Sequence, residues 1–325
     1  MAESTPRPAS HLTGARVVIT GAAGFIGSAL ARRLVESHGC EVVAIDNERS
    51  GDWSRLDVPI ERIDQSIEAL SADEWADLCT DADYLFHLAA EKYNSPGSTP
   101  ERIIDTNVTA FHRLLQGCAR AELGKVVFTS SLYAYGSMGP DQMRESDVPK
   151  PTTMYGASKV MGENLLRIAN RDHGLRWSTA RLFFIYGPRQ YAEGGYKSVI
   201  LSNFERILDG QAPTINGDGR QALDYVYIDD CIEALVALAG AETDGMTLNV
   251  GSGTAVSIEQ LTARMLALAS SELAPIYSPP DWTAGSIRCA DASSIQEIIE
   301  WSSTTDLDAG LEAVFSWMSD HGGAP

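Results

Sequence analysis

The stretch Val17-Val18-Ile19-Thr20-Gly21-Ala22-Ala23-Gly24-Phe25-Ile26-Gly27 decides which fold the chain can adopt. Its first residues are apolar and β-branched, which favours a buried strand, and the pattern from Ser28 to Ser37 predicts an amphipathic helix after it. Between the two elements, Gly21 permits a tight turn, Gly24 a close backbone approach to a ligand, and Gly27 close packing of helix on strand. A strand, a glycine turn and a helix in this order are typical of a dinucleotide-binding site, where a pyrophosphate lies at the helix N-terminus.

The residue that follows the next strand indicates which dinucleotide binds. Glu41–Ile45 is predicted as a second strand, and Asp46 follows it, nineteen residues after Gly27. A carboxylate at this position accepts hydrogen bonds from the adenosine ribose hydroxyls and repels a 2′-phosphate, so we expect NAD rather than NADP. The alternative is a plain βαβ unit with a glycine turn, which the combination of strand, spacing and acid disfavours.

Length, composition and charge restrict the functions that are open to the chain. Its 325 residues are 44% hydrophobic and 21% charged, enough for a large core in one or two domains. The net charge of −19 would repel nucleic acid and an anionic membrane. Residues 1–12 are polar and no apolar run approaches a membrane span, so we expect a cytoplasmic protein. The spacing of the cysteines predicts neither a metal site nor a redox motif; they are Cys40, Cys79, Cys118, Cys231 and Cys289.

Strands and helices alternate along the rest of the chain, which predicts a parallel sheet. The predicted helices include Ile67–Cys79, Thr99–Ala121 and one from Met154 or Tyr155 to about His173, and a loop is predicted from Leu132 to Thr153. A short strand, Ile60–Ile63, ends at Asp64, which could meet an adenine amino group or be a solvated loop residue. The strand Tyr84–Ala90 ends in small residues, which would let a flat cofactor pass close by. His87 lies inside this apolar run and is interpreted as a core histidine rather than a catalyst.

The predicted fold class is α/β, a Rossmann doubly wound parallel sheet with a smaller α/β C-terminal substrate lobe. Residues 13–186, with a returning segment at about 223–252, are predicted to form the NAD-binding domain. Residues 187–222 and 253–320 would form the lobe, and residues 1–12 a flexible tail. The boundaries rest on the change of pattern after residue 186, because the chain contains no Pro/Gly/Ser-rich linker.

Three polar residues form a candidate catalytic group. Tyr155 and Lys159 are four residues apart on a predicted helix, so their side chains share one face. A free tyrosine has a pKa of about 10, and a neighbouring ammonium favours its phenolate, which can then act as a general base. Ser131 follows a predicted strand, Lys125–Thr129, and could hold the same substrate oxygen.

The chain resembles the extended short-chain dehydrogenases/reductases of the nucleotide-sugar epimerase/dehydratase type over about residues 15–315. The resemblance implies a Rossmann fold, bound NAD, a Ser/Tyr/Lys triad, and a homodimer formed through helices that begin near Thr99 and Tyr155. It also implies that Lys159 holds the nicotinamide ribose and that Asn107 supports the active-site helix. The matching segments are Thr20–Gly27, Asp46-Asn47, His87–Ala90, Asn107, Ser130-Ser131, Tyr135-Gly136, Tyr155–Lys159, Tyr186–Pro188, Gly217–Gly219 and Asp224.

The expected cofactor-binding residues are Gly21, Ala23, Gly24, Phe25, Ile26, Asp46, Asn47, Asp64, Leu88, Ala89, Ala90, Asn107, Tyr155 and Lys159. The expected substrate-binding residues are Lys92, Ser131, Phe184, Arg189, Lys197 and Arg220.

Departures from the family pattern restrict the reaction. Dehydratases and decarboxylases of this type carry acids directly after the catalytic Ser or Thr, whereas this chain has Leu132-Tyr133, so we do not expect dehydration or decarboxylation. Relatives bind the diphosphate of the substrate with an Asn and two Arg, whereas this chain has Phe184, Leu223 and Thr283 at those positions. Neutral side chains leave a buried diphosphate without charge-assisted hydrogen bonds.

Basic residues nearby could replace the missing diphosphate ligands; they are Arg189, Lys197, Arg220 and Arg288. Otherwise the substrate carries no nucleotide. We therefore expect an NAD-dependent sugar epimerase, similar to a nucleotide-sugar 4-epimerase, that acts through a transient keto intermediate. The alternative is an NAD-dependent dehydrogenase or reductase of a sugar or polyol without a nucleotide. A regulator that binds NAD without catalysis is disfavoured because Ser131, Tyr155 and Lys159 are all present.

Overall fold

A computed structural model describes residues 10–92, 97–136, 142–190, 197–281 and 283–321. The strands are β1 (Arg16–Thr20), β2 (Glu41–Asp46), β3 (Glu61–Asp64), β4 (Tyr84–His87), β5 (Lys125–Ser131), β6 (Trp177–Leu182), β7 (Phe184–Tyr186), β8 (Thr214–Asn216), β9 (Ala222–Tyr227), β10 (Met246–Val250), β11 (Ala255–Ser257), β12 (Ile276–Ser278) and β13 (Ile287–Arg288). The helices are α1 (Phe25–His38), α2 (Ala72–Cys79), α3 (Pro100–Ile104), α4 (Phe111–Arg120), α5 (Met154–His173), α6 (Val199–Leu208), α7 (Ile228–Ala237), α8 (Ile258–Leu268), α9 (Ser293–Ile299) and α10 (Leu307–His321).

A seven-stranded sheet with the order β10-β6-β5-β4-β1-β2-β3 forms the larger part of the molecule. All of its strand pairs are parallel, which confirms the predicted Rossmann-type sheet. The strand order reverses between β1 and β4, because β2 and β3 lie on one side of β1 and β4 to β6 on the other. In such sheets the crevice at the carboxyl ends of the strands near the reversal is the place where ligands bind.

Helices cover both faces of this sheet, and β1 contributes to the core on each side. Val17 and Ile19 pack into a core with residues of α1 and α7, whereas Val18 packs into a second core with residues of α2, α4 and α5. All three side chains are fully buried. A strand that is buried on both faces explains why its sequence is continuously apolar rather than alternating.

The helix predicted over Thr99–Ala121 is present with one irregular turn. A π-helical turn, Asp105–Ala110, joins α3 to α4, and the backbone stays helical on both sides of it. The pattern of apolar residues did not reveal this turn. Turns of this kind often occur at functional sites because they reorient one side chain.

The C-terminal part contains a second sheet, in which β9 pairs with β7, β11 and β13. Helices α6, α8 and α10 contribute apolar side chains to the core beside it. The predicted returning segment is divided between the two sheets: β9 lies in the second sheet and β10 at the edge of the first. The exact domain boundaries stay a prediction.

The start of the predicted tail, residues 1–9, lies outside the described residues, as does 137–141 of the loop predicted between Leu132 and Thr153. Ser10–Leu12 form a 3₁₀ turn, and Leu12 is fully buried in the core beside α1. This turn therefore belongs to the folded body rather than to a flexible tail. Among the described residues, no helix is long and apolar enough to span a membrane.

Candidate active site

The turn after β1 has the geometry that its glycines predicted. Gly21 has a φ of +72°, and a Cβ added there would lie 2.7 Å from the backbone nitrogen of Ala89. A Cβ on Gly27 would lie 2.0 Å from the carbonyl oxygen of Gly21. Helix α1 begins after Gly24, and within the described residues no side chain caps this end. The N–H groups of its first turn therefore remain available to an anionic ligand, and the backbone cradle fits a dinucleotide pyrophosphate.

Asp46 ends β2 beside this turn. One of its carboxylate oxygens accepts a hydrogen bond from the backbone nitrogen of Ala23 at 3.0 Å, and the other accepts one from that of Glu48 at 2.7 Å. Burial raises the pKa of Asp46, and these hydrogen bonds oppose the rise because they stabilise the carboxylate. Each oxygen has a second lone pair, so the carboxylate can still accept from ribose hydroxyls.

The other predicted cofactor residues lie along the same crevice. Leu88, Ala89 and Ala90 follow β4 and are half-buried, and the backbone nitrogen of Ala89 donates to the hydroxyl of Thr20 at 3.3 Å. Phe25 and Ile26 are half-buried in the first turn of α1, and Ala23 is fully buried. The side chain of Asn47 is exposed and donates to the hydroxyl of Ser66 at 3.3 Å.

Asp64 lies at the edge of this group. It is the register partner of Asp46 on β3, and its exposed carboxylate pairs with Arg62 at 2.7 Å. The exposed carboxylate of Asp64 therefore already has a partner in Arg62. Its two interpretations, a contact to the adenine amino group or a solvated loop residue, both stay predictions.

His87 is a core histidine, as its sequence context indicated. Its ring is buried, shares a 2.7 Å hydrogen bond with the hydroxyl of Thr20, and stacks on Phe111 with ring centroids 4.4 Å apart. Burial lowers the pKa of His87 well below its usual value, and the charge of Lys159 lowers it further. A neutral, stacked and hydrogen-bonded imidazole contributes packing rather than acid–base chemistry.

Tyr155 and Lys159 lie on the first turns of α5, and the Lys159 ammonium is 5.6 Å from the centre of the Tyr155 ring. Lys159 is buried, and its ammonium donates to the carbonyl oxygen of Thr129 on β5 at 2.8 Å. Burial lowers the pKa of Lys159 to about 7, and the charge of Lys92 contributes to this decrease. The structure thus brings the predicted pair together beside the carboxyl end of β5.

Ser131 is the last residue of β5 and begins the turn that leads toward α5. Its hydroxyl accepts a hydrogen bond from the backbone nitrogen of Tyr133 at 3.3 Å. Tyr133 packs edge-on against Tyr155, with ring centroids 5.7 Å apart and an interplanar angle of 79°. This packing brings the end of β5 and the start of α5 to one side of the crevice.

Asn107 holds the active-site helix through the π-helical turn. Its side-chain amide nitrogen donates to the hydroxyl of Ser158 at 2.9 Å and to the carbonyl oxygen of Glu91 at 2.9 Å. Its side-chain oxygen accepts from the backbone nitrogen of Glu91 at 2.8 Å. With these contacts Asn107 ties α5 to the loop after β4, which agrees with the supporting role implied by the resemblance.

A buried ion pair behind the triad was missed from the sequence. Arg181 on β6 donates twice to the Glu163 carboxylate, at 2.9 and 2.8 Å, and Ser130 donates to the same carboxylate at 2.7 Å. Both charged side chains are almost completely buried. Glu163 lies four residues after Lys159, so helical spacing could have placed it on the same face, but nothing in the sequence indicated Arg181 as its partner.

The predicted substrate residues are spread over the surface of the lobe and crevice. Lys92 and Arg189 are exposed, and Phe184 is half-buried against Tyr225. Lys197 pairs with Glu205 at 2.6 Å on the outside of α6, and the side chain of Arg220 is 86% exposed. Their substrate-binding role stays a prediction.

Arg288, by contrast, lies near the triad. It is 7% exposed, and its guanidinium is 5.7 Å from the centre of the Tyr133 ring. The site therefore contains a buried cation that contacts the same aromatic ring, Tyr133, that packs against Tyr155.

A dinucleotide crevice beside a tyrosine–lysine pair, with a C-terminal lobe next to it, defines the extended class of short-chain dehydrogenases/reductases. The sequence profile of the NAD dependent epimerase/dehydratase family matches residues 17–251. The chain belongs to this family, and the predicted family, cofactor and enzyme class are thereby confirmed.

The most similar proteins include several epimerases. The UDP-glucose 4-epimerase of Mycolicibacterium smegmatis is 30% identical over 311 residues, which are 91% of this chain and 96% of the relative. The structure of a Thermotoga maritima UDP-glucose 4-epimerase with UDP-glucose matches with a TM-score of 0.87 and 29% identity, over 94% of this chain and 99% of that one. The UDP-N-acetylglucosamine 4-epimerase of Methanobrevibacter ruminantium, in complex with UDP-N-acetylmuramic acid, matches with a TM-score of 0.88 and 28% identity, over 95% and 99%. These relatives favour the predicted epimerase over the alternative dehydrogenase.

Proposed function

We propose that the protein is a UDP-sugar 4-epimerase. The observation that carries the proposal is the Lys159 ammonium 5.6 Å from the Tyr155 ring, at the strand ends that border the dinucleotide crevice. The similarity to UDP-glucose and UDP-N-acetylglucosamine 4-epimerases over nearly the whole chain supports a nucleotide sugar as substrate.

In the proposed reaction Tyr155 moves the proton of the sugar hydroxyl. The neighbouring ammonium of Lys159 favours its phenolate, which removes the hydroxyl proton while the carbon is oxidised. Ser131 holds the resulting carbonyl oxygen by donating a hydrogen bond to it. Bound NAD supplies a hydride acceptor that later returns the hydride. The keto sugar turns over in the pocket, so that the hydride returns to the opposite face of its carbonyl carbon, and Tyr155 gives its proton back to the same oxygen. The net result is inversion of one stereocentre without loss of atoms.

Leu132 and Tyr133, the residues directly after Ser131, bring no carboxyl group to the intermediate. Leu132 is buried and Tyr133 packs against Tyr155, in the place where family members that eliminate water or carbon dioxide have acids. The keto sugar therefore receives its hydride back rather than losing a group. This agrees with epimerisation as the single outcome.

Arg288 is the residue that we propose binds the diphosphate. Strand β13 pairs with β9 so that Arg288 lies beside Leu223, the position where relatives have an arginine. A buried guanidinium provides the forked donors that a phosphate requires. Calorimetric titration with uridine diphosphate tests this assignment: Arg288→Gln should weaken binding, and Arg264→Gln, which changes an exposed side chain on α8, should not. Equal affinities of both variants would contradict the assignment.

The protein is further proposed to act in sugar metabolism in the cytoplasm as a homodimer. Four large apolar side chains on α3 and α5 are 41–47% exposed, which an interface formed by these helices would cover; they are Ile104, Met154, Met161 and Ile168. Light scattering at micromolar protein should report a dimer, and a monomer at high concentration would contradict this proposal.

The reaction itself can be tested with the purified protein and UDP-glucose. We expect UDP-galactose to form without added cofactor, and denaturation of the protein to release NAD. Tyr155→Phe, which keeps the ring and removes the hydroxyl, is the matched control. Stoichiometric accumulation of free NADH with an oxidised sugar would instead favour the dehydrogenase alternative.

A further inference from the structure

A salt bridge outside the triad connects two loops at the edge of the dinucleotide crevice. Arg49 lies in the loop after β2, and Glu91 lies in the loop after β4. The Arg49 Nε is 3.1 Å from the Glu91 Oε2, and the Arg49 Nη2 donates to the Glu91 Oε1 at 3.3 Å. The side chain of Glu91 is 5% exposed and that of Arg49 26%, so the pair is largely screened from solvent.

The strand order places this pair across the cofactor site. Strand β1 lies between β2 and β4 in the sheet, so the two loops start about 9.6 Å apart, the width of two strand spacings. A contact between them has to cross the carboxyl end of β1. That end is where the turn Gly21–Gly24 begins and where the Asp46 carboxylate contacts Ala23.

The two ends of the pair are held differently. The backbone of Glu91 is fixed on both sides by the side chain of Asn107, at 2.8 and 2.9 Å. Arg49 lies in a polar loop, where its backbone nitrogen donates to the side chain of Asn47 at 3.1 Å. One end of the bridge is therefore held by Asn107, whereas the other lies in an exposed polar loop, residues 47–50.

We infer that the Arg49–Glu91 pair is a strap that keeps NAD bound during turnover. This inference rests on the proposed function. An epimerase returns the hydride to the same sugar, so its cofactor has to stay in place, whereas a dehydrogenase has to exchange it. A forked, mostly buried ion pair across the crevice raises the barrier to cofactor release, because opening it leaves the Glu91 carboxylate buried without its partner.

The rate of NAD release directly measures how strongly the Arg49–Glu91 pair retains the cofactor. We would load the protein with NAD or NADH and follow release by stopped-flow fluorescence and by the NAD retained after gel filtration. Arg49→Gln and Glu91→Gln should each release the cofactor at least about tenfold faster, the factor that one charge-assisted hydrogen bond represents. The exchanged variant Arg49→Glu/Glu91→Arg should recover most of the slow release.

A control pair separates this effect from a general loss of charge. Arg264→Gln breaks an exposed ion pair with Asp308 in the lobe, 2.8 Å long, and should leave the release rate unchanged. Unchanged release from both Arg49→Gln and Glu91→Gln would overturn the inference. Faster release that the exchanged variant does not restore would also overturn it, because the residues would then act separately.

Release is measured without sugar, so this result and the proposed function can fail independently. Slow, pair-dependent release together with no epimerisation of any UDP-sugar would refute the substrate and leave the strap in place. Epimerisation together with a release rate that neither Arg49→Gln nor Glu91→Gln changes would refute the strap and leave the proposed function in place.

Discussion

Replacing Gly27 by Ala tests whether close packing of α1 on the glycine turn forms the cofactor site. A Cβ at this position would lie 2.0 Å from the carbonyl oxygen of Gly21, 2.8 Å from its carbonyl carbon and 2.9 Å from the Cα of Ala22. An ordinary contact begins at 3.4 Å, so the shortest of these distances falls about 1.4 Å short. All three neighbours are backbone atoms, which cannot rotate away.

The clash should therefore move α1 away from the turn. The helix is held by fully buried side chains such as Leu30 and Leu34, so a shift of this size disturbs the core as well. Overpacking of a well-packed site typically costs about 1–3 kcal/mol, and we expect Gly27→Ala at the upper end of that range. Because the first turn of α1 moves, NAD affinity should fall by more than about tenfold.

Denaturant unfolding of the NAD-free protein and calorimetric titration with NAD measure the two effects separately. Gly39→Ala is the matched control, because Gly39 ends the same helix with a φ of +62° and has no atom within 4 Å of an added Cβ. Gly39→Ala should lower the free energy of unfolding by about 1–2 kcal/mol, because alanine is strained in the left-handed conformation, and should leave NAD affinity unchanged. A Gly27→Ala variant that binds NAD as tightly as the wild type would refute the reasoning.

Three further predictions concern charge and proton transfer. Asp46→Ala should narrow the preference for NAD over NADP, because it removes the carboxylate that repels a 2′-phosphate; equal affinity of the unmodified protein for both would contradict this. Tyr155→Phe should lower turnover by about 10²–10⁴-fold while NAD binding persists, and near-full turnover would mean that another group is the base. The pKa of Lys159 is lowered to about 7, so the unfolded chain holds more protons between about pH 7 and 10.5 and stability rises with pH there. In urea unfolding of the NAD-free protein, Lys159→Met should abolish this rise in stability with pH. Identical pH profiles of the variant and the wild type would contradict the lowered pKa of Lys159.

The parts of the site that are local in sequence were predictable. The glycine turn, Asp46 after β2 and the helical pair Tyr155–Lys159 each depend on a spacing of a few residues within one element or on one strand–turn–helix unit. The backbone geometry follows from these spacings, because a tight turn needs glycine and residues four apart on a helix share a face. The bounds of α5 were predicted to within one residue for the same reason, since Thr153 caps its start and Gly174 ends it in the left-handed conformation.

Short or irregular elements were less predictable. Helix α2 begins at Ala72 and not at the predicted Ile67, because Ser71 and Glu74 form a capping box that fixes the start. Strand β13 has two residues, too few for an alternating pattern, and α9 begins without a side-chain cap among the described residues. The position of Arg288 depends on β13, so its closeness to Tyr133 could not be inferred from spacing.

The sequence by itself determined the class of cofactor and the family and placed Tyr155 and Lys159 on one helical face, because each is encoded in residues that are neighbours along the chain. The tertiary structure alone decided which distant charges meet. Arg49 pairs with Glu91 across β1, and Glu163 pairs with Arg181 between α5 and β6, at separations that no periodicity connects. Such pairs form only after the strand order has brought their loops and helices together, and burial then makes each charge depend on its partner.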